Sequence, residues 1–119
     1  MIAKSKLKEG QIWWVQLSYS KSDSVGHEQS NKRPCLIIKN NKFARLTTII
    51  PLTAHIAASR FPYTYLIKKT KINNLTYDSI ALIFQIRSLS YKRFQTQIGM
   101  IDKEDLNRIK ALIKDYFFS

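Results

Sequence analysis

The residue in this sequence best placed to do chemistry is an arginine that stands before a proline at the mouth of an apolar run. Gly26-His27-Glu28-Gln29-Ser30-Asn31-Lys32-Arg33-Pro34 gathers an imidazole, a carboxylate, a side-chain amide and a guanidinium in one polar stretch. That stretch feeds directly into Cys35-Leu36-Ile37-Ile38. Proline lacks an N–H, so Arg33-Pro34 reads as the edge of a buried strand rather than its middle. A guanidinium keeps its charge at any working pH and presents a planar fork of donors. Its natural complement is an anion.

Other chemistries lack their residues. A single cysteine, Cys35, excludes an internal disulfide, and no Cys/His cluster has metal-ligand spacing. There is no phosphate-cradling glycine loop and no Gly-x-Ser-x-Gly elbow. What remains is metal-free chemistry by arginines, hydroxyls, amides and one or two histidines. RNA cleavage suits that kit, because RNA carries its own nucleophile in the 2′-hydroxyl. The protein then supplies proton transfer, worth roughly 10²–10⁴-fold, and a preorganised cation for the developing phosphorane.

The charge agrees. Twenty Lys and Arg stand against eight Asp and Glu, a net +12. Four of the acids (Asp102, Glu104, Asp105 and Asp115) lie after residue 101, balanced there by Lys103, Arg108, Lys110 and Lys114. The rest of the chain therefore carries the whole excess, 16 basic against 4 acidic side chains. A basic face of this kind fits nucleic acid or an acidic partner protein. No stretch approaches the ~20 apolar residues of a membrane span, and Met1 to Glu9 has no apolar signal core. The cytoplasm is the expected compartment.

The elements that must hold these residues are short strands followed by one helix. Strands are expected at Gln11–Leu17, Pro34–Lys39, Leu46–Leu52, Phe61–Ile67 and Ser79–Arg87, the last being the longest. A weaker one, Phe94–Ile98, is expected to stop at Gly99. Ser18 to Lys32 shows neither period and is long for a connection, which predicts a flap. A helix over about 102–117 is signalled by Asp102 as its cap, Asp105 three residues on, and an apolar stripe of Leu106, Ile109, Ile113, Tyr116 and Phe117. The stripe is read as core or subunit contact. Together these predict a single mainly-β α+β domain over 1–119, a small barrel closed by a C-terminal helix.

In order along the chain, the motifs resemble the MazF/PemK-like toxins of bacterial toxin–antitoxin systems. Gly10-Gln11-Ile12-Trp13-Trp14-Val15-Gln16-Leu17 is similar to the family's opening strand, and Gly26-His27-Glu28-Gln29 with Arg33-Pro34 to its Gly-x-Glu-Gln…Arg-Pro signature. Pro51-Leu52-Thr53, Asp78-Ser79 with Gln85-Ile86-Arg87, and Lys92-Arg93-Phe94 with Ile98-Gly99 follow in the family's order. The resemblance implies an SH3-like β-barrel with a C-terminal helix, working as a homodimer. It implies a sequence-specific, metal-independent endoribonuclease that cuts single-stranded mRNA and leaves a 2′,3′-cyclic phosphate and a 5′-hydroxyl. It also implies an antitoxin partner with an acidic C-terminal segment.

Carried over position by position, the resemblance makes Arg33 and Thr53 the catalytic pair. Glu28 and Gln29 would position substrate, and Gln85 and Arg87 would contact RNA, Arg87 through phosphate. His27 stands where many relatives have serine, so its imidazole would be either an acid–base group or a solvated loop residue. Phe84 stands where an acid is common and would stack a base instead. His55 has no role to transfer and is read as surface. Two other readings are a non-catalytic RNA-binding barrel and a CcdB-like gyrase poison, whose C-terminal ending Asp115-Tyr116-Phe117-Phe118-Ser119 does not match.

Overall fold

The computed structural model describes residues 6–18 and 31–119. His27, Glu28 and Gln29, and nearly all of the expected flap, lie outside the described residues. The strands are β1 (Gln11–Gln16), β2 (Lys32–Asn41), β3 (Leu46–Thr53), β4 (Thr64–Ile67), β5 (Ser79–Leu82), β6 (Arg87–Ser90) and β7 (Phe94–Met100), followed by the helix α1 (Lys103–Phe118). They form one antiparallel sheet in the order β4-β5-β3-β2-β1-β7, with β6 added to β3. The path does not close on itself, so this is a strongly wrapped sheet rather than a sealed barrel. No helix among the described residues is long and apolar enough to cross a membrane.

β3 is the hinge of the architecture. Its first half pairs with β6 (Leu46↔Ser90 to Ile49↔Arg87), whereas its last two residues pair with β5 (Leu52↔Ala81, Thr53↔Ile80). The strand expected to run unbroken from Ser79 to Arg87 is therefore two strands, separated by a single 3-10 turn at Ile83–Gln85. A continuous apolar run such as Ile80-Ala81-Leu82-Ile83 hides this break, because the buried Ile83 that opens the turn is as apolar as the strand before it.

Alternation along the strands fills two cores. Ile12, Leu36, Ile50 and Leu52 lie in one, beneath Ile109 of the helix; Trp13, Val15, Cys35, Ile37 and Ile49 lie in the other with Tyr91 and Phe94. Asp102 caps α1, its Oδ1 accepting the Asp105 backbone N–H at 2.7 Å. Leu106, Ile109 and Ile113 of the stripe pack into the first core. Tyr116 and Phe117 remain exposed at the end, Tyr116 edge-on to Tyr63 with centroids 5.1 Å apart. Three further links tie the helix down: Tyr65 Oη donates to Asp105, Tyr63 Oη donates to Asp115, and Lys110 pairs with Glu9.

β7 does not stop at Gly99 as its sequence predicts; it runs through to Met100. The glycine serves a close approach instead. A Cβ there would lie 2.4 Å from the carbonyl oxygen of Asn73 and 2.5 Å from that of Ile72. The loop that presses on it is self-braced. The buried Asn73 side chain accepts from Thr70 N (2.9 Å) and Leu75 N (3.0 Å) and donates to Lys68 O (2.9 Å). Loop and strand thus form one wall.

Candidate nucleic-acid cleft

Arg33 enters the structure at the second residue of β2, paired with Val15 of β1. Pro34 follows, paired with Trp14, and the β2–β3 ladder begins only at Cys35↔Pro51. A residue without an N–H is tolerated there because that edge carries no ladder partner. Continuing the antiparallel register two residues past Cys35↔Pro51 brings Arg33 opposite Thr53, the last residue of β3. The strand edges, fixed by hydrophobic alternation, thus bring together two residues 20 positions apart in sequence.

Both line one cleft of about 390 Å³, with Trp14, Asn31, Lys32, Pro34, Leu52, Ala54 and His55. Among the described residues its charged lining is Lys32 and Arg33, with the imidazole of His55 beside them and no carboxylate. The half-buried Arg33 is steadied by its Nε, which donates to Asn31 Oδ1 at 3.2 Å. Thr53 is buried, and its Oγ1 accepts the backbone N–H of His55 at 3.2 Å. With a lone pair so occupied, the hydroxyl hydrogen is the part left to donate.

The other expected contacts sit elsewhere. Gln85 is exposed at the end of the 3-10 turn, and Arg87 is exposed at the start of β6, paired with Ile49. Neither lines the Arg33 cleft. Phe84 is half-buried, packed edge-on against Phe61 with centroids 6.2 Å apart, and its carbonyl oxygen accepts from Tyr116 Oη at 3.5 Å. Its ring is engaged in packing between the 3-10 turn and the segment before β4. Conversely, His55, read as surface and indeed exposed, lines the cleft, as does Lys32. Their signals were adjacency to Thr53 and to Arg33.

Cys35, two residues after Arg33, is buried in the second core and is no nucleophile. Burial pushes its thiol up to about 12, with the Arg87 and Arg33 guanidiniums acting in the opposite sense. A neutral buried thiol packs as a small apolar side chain. No cluster of three or more His, Cys, Asp or Glu is present among the described residues.

The sequence profile of the family described as PemK-like, MazF-like toxin of type II toxin–antitoxin system matches residues 8–117. This chain belongs to that family. Among curated proteins, the MazF-like chain is 29% identical over 111 residues to Endoribonuclease EndoA of Bacillus subtilis (strain 168), covering 91% of each. Among solved structures, it resembles MazF from Deinococcus radiodurans with a TM-score of 0.71 at 19% identity, covering 95% of this chain and 97% of that one. A mycobacterial endoribonuclease in complex with its cognate antitoxin gives a TM-score of 0.69 at 17% identity, covering 93% and 94%. The fold is the MazF fold, with the Arg33–Thr53 cleft at the β2 and β3 ends.

Proposed function

We propose that this toxin acts as a sequence-specific, metal-independent endoribonuclease on single-stranded mRNA, with Arg33 and Thr53 as its catalytic pair. One observation supports the reading: an always-charged guanidinium and a donating hydroxyl line a single cleft to which the described residues contribute cations and no carboxylate. Such a cleft attracts a phosphodiester and stabilises added negative charge on it.

In this mechanism the RNA 2′-hydroxyl attacks the adjacent phosphorus. Arg33 neutralises the phosphorane, and Thr53 hydrogen-bonds a non-bridging oxygen as charge develops there. His55 offers an imidazole at the same rim for proton transfer; the family resemblance adds His27, Glu28 and Gln29 as acid–base or substrate-positioning residues. The P–O5′ bond then breaks, leaving a 2′,3′-cyclic phosphate and a 5′-hydroxyl. Gln85 and Arg87 hold the strand beyond the cleft. Single-stranded RNA is the fitting substrate because its bases are open to side chains. The working form is a homodimer in the cytoplasm, silenced by an antitoxin whose acidic C-terminal segment competes for the basic surface. EndoA carries the endoribonuclease name, and the mycobacterial relative is bound to an antitoxin.

The test is incubation of the purified chain with a long single-stranded RNA in EDTA, beside Arg33→Ala. The expected result is fragments with cyclic phosphate and 5′-hydroxyl ends, and a loss of about 10²–10³-fold in the variant, the scale of removing one transition-state donor. Intact RNA with the wild type overturns the nuclease reading. RNA that is bound but uncut makes the chain a non-catalytic RNA-binding protein. Equal cutting by the variant overturns the role of Arg33.

A further inference from the structure

A second cleft, of about 540 Å³, adjoins the Arg33 cleft and shares Trp14, Pro34, Leu52 and Ala54 with it. Its chemistry is different. Among the described residues no charged side chain lines it; Asn74, Thr76, Tyr77, Thr96 and Gln97 do, together with Trp14. Both aromatic rings are open to solvent, Trp14 at 40% and Tyr77 at 65% exposure. The amides are oriented by the backbone: Asn74 Nδ2 donates to Ile98 O at 3.1 Å, and Gln97 Nε2 donates to Gly99 O at 3.4 Å. Each thereby keeps a carbonyl oxygen as an acceptor.

A cationic cleft beside an uncharged one, with an exposed indole between them, has the charge pattern of a nucleotide chain. Phosphate suits the first, and a neutral aromatic base suits the second. A size within the roughly 300–1,000 Å³ of ordinary ligand pockets accommodates a base, and aromatic faces stack any base without a charge requirement. Side-chain carbonyl oxygens accept from exocyclic amines, which adenine, guanine and cytosine have and uracil lacks. An acidic peptide fits less well, because nothing in this cleft complements its charge.

We infer that the Trp14–Tyr77–Gln97 cleft is a base-reading subsite that receives an unpaired RNA base next to the phosphate held by Arg33. It stacks the base on Trp14 and selects an amine-bearing base through Asn74 and Gln97. The inference rests on the RNA-cleaving reading for the neighbouring cleft, but its test separates the two.

Binding of a 2′-O-methyl RNA oligonucleotide, which cannot be cut, is followed by tryptophan fluorescence in the full chain. Quenching is expected in the wild type and lost in Trp14→Phe, where the buried Trp13 remains as a silent reporter. In parallel, a randomised RNA pool is cut by the wild type and by Gln97→Leu, an exposed position where folding is not at risk. The ratio of cutting at amine-bearing over uracil-bearing sites is expected to fall about tenfold, the scale of one base-edge contact. Quenching without any cutting sustains the subsite and overturns only the nuclease reading. Binding without Trp14 quenching, or an unchanged base ratio in Gln97→Leu, overturns the subsite. Quenching by an acidic peptide and not by RNA assigns the cleft to a protein ligand and also overturns it.

Discussion

Trp14 of β1 pairs directly with Pro34 of β2, and both residues line both clefts. The pair is the point where the basic and the uncharged hollows meet. Alternation sets Trp14 and Pro34 on the face of Ile12 and Leu36, which the helix covers further along the sheet. At this end the helix is absent, so the same face is open. A groove results where a core would otherwise continue.

In the proposed mechanism the hydroxyl of Thr53, and not its bulk, does the work. Thr53→Val keeps the shape but removes the donor, and is expected to slow RNA cutting about 10²-fold, whereas Thr53→Ser stays within about tenfold of the wild type. Thermal melts of both variants distinguish this from misfolding, since the His55 N–H also loses its acceptor in the valine variant. Cutting by Thr53→Val at the wild-type rate removes Thr53 from the chemistry.

Gly99→Ala is expected to destabilise the chain by about 1–3 kcal/mol, the usual cost of overpacking. The added methyl meets backbone atoms of Ile72 and Asn73, which cannot rotate aside like a side chain. The loop it displaces also carries Asn74, Leu75, Thr76 and Tyr77 of the second cleft. A lowered melting temperature together with weakened oligonucleotide binding is the predicted pair of changes. An unaltered melting temperature contradicts the packing argument.

Tyr65 fastens β4 to the helix. Desolvation, reinforced by its hydrogen bond to Asp105, pushes its phenol from the ordinary 10 up to about 12. A raised folded-state value means the contribution is fully present below pH 10 and is lost as pH rises through 12. The group is partly solvated, so Tyr65→Phe is expected to cost only about 1–2 kcal/mol at pH 8. Urea unfolding of both proteins at pH 8 and pH 11 checks it. Cys35 titrates in both and cancels, so the gap between them must narrow at the higher pH; a constant gap counts against the tie.

Much of this was legible beforehand, for identifiable reasons. The α1 signal is local: Asp102 as cap, Asp105 three residues later, and apolar positions at helical spacing, all interacting within one turn of each other. β1, β2 and β3 were legible because half-buried or buried strands write their burial into the sequence. Arg33 was legible as a charged residue at a strand edge, whereas Thr53 entered through the family resemblance. The break at Ile83–Gln85 was not legible, since the turn opens on the buried Ile83 and so continues the apolar run of the strand before it. Nor was the engagement of Phe84 with Phe61, a contact between residues 23 positions apart. Gly99 was visible as a glycine but misread as a stop, because a close approach from Asn73 leaves no trace at residue 99 itself.

The sequence by itself determined the composition of the site: a permanently charged arginine, a threonine, a basic body and an apolar pattern that can only be buried as wrapped strands. Tertiary structure decided which of those residues meet. The β2–β3 register brings Arg33 and Thr53 to one cleft and leaves Gln85 and Arg87 outside it. The position of the helix leaves Trp14 uncovered, and the Asn73–Gly99 approach builds a second hollow beside it. Register and close packing depend on contacts between residues far apart in the chain, which local periodicity does not record.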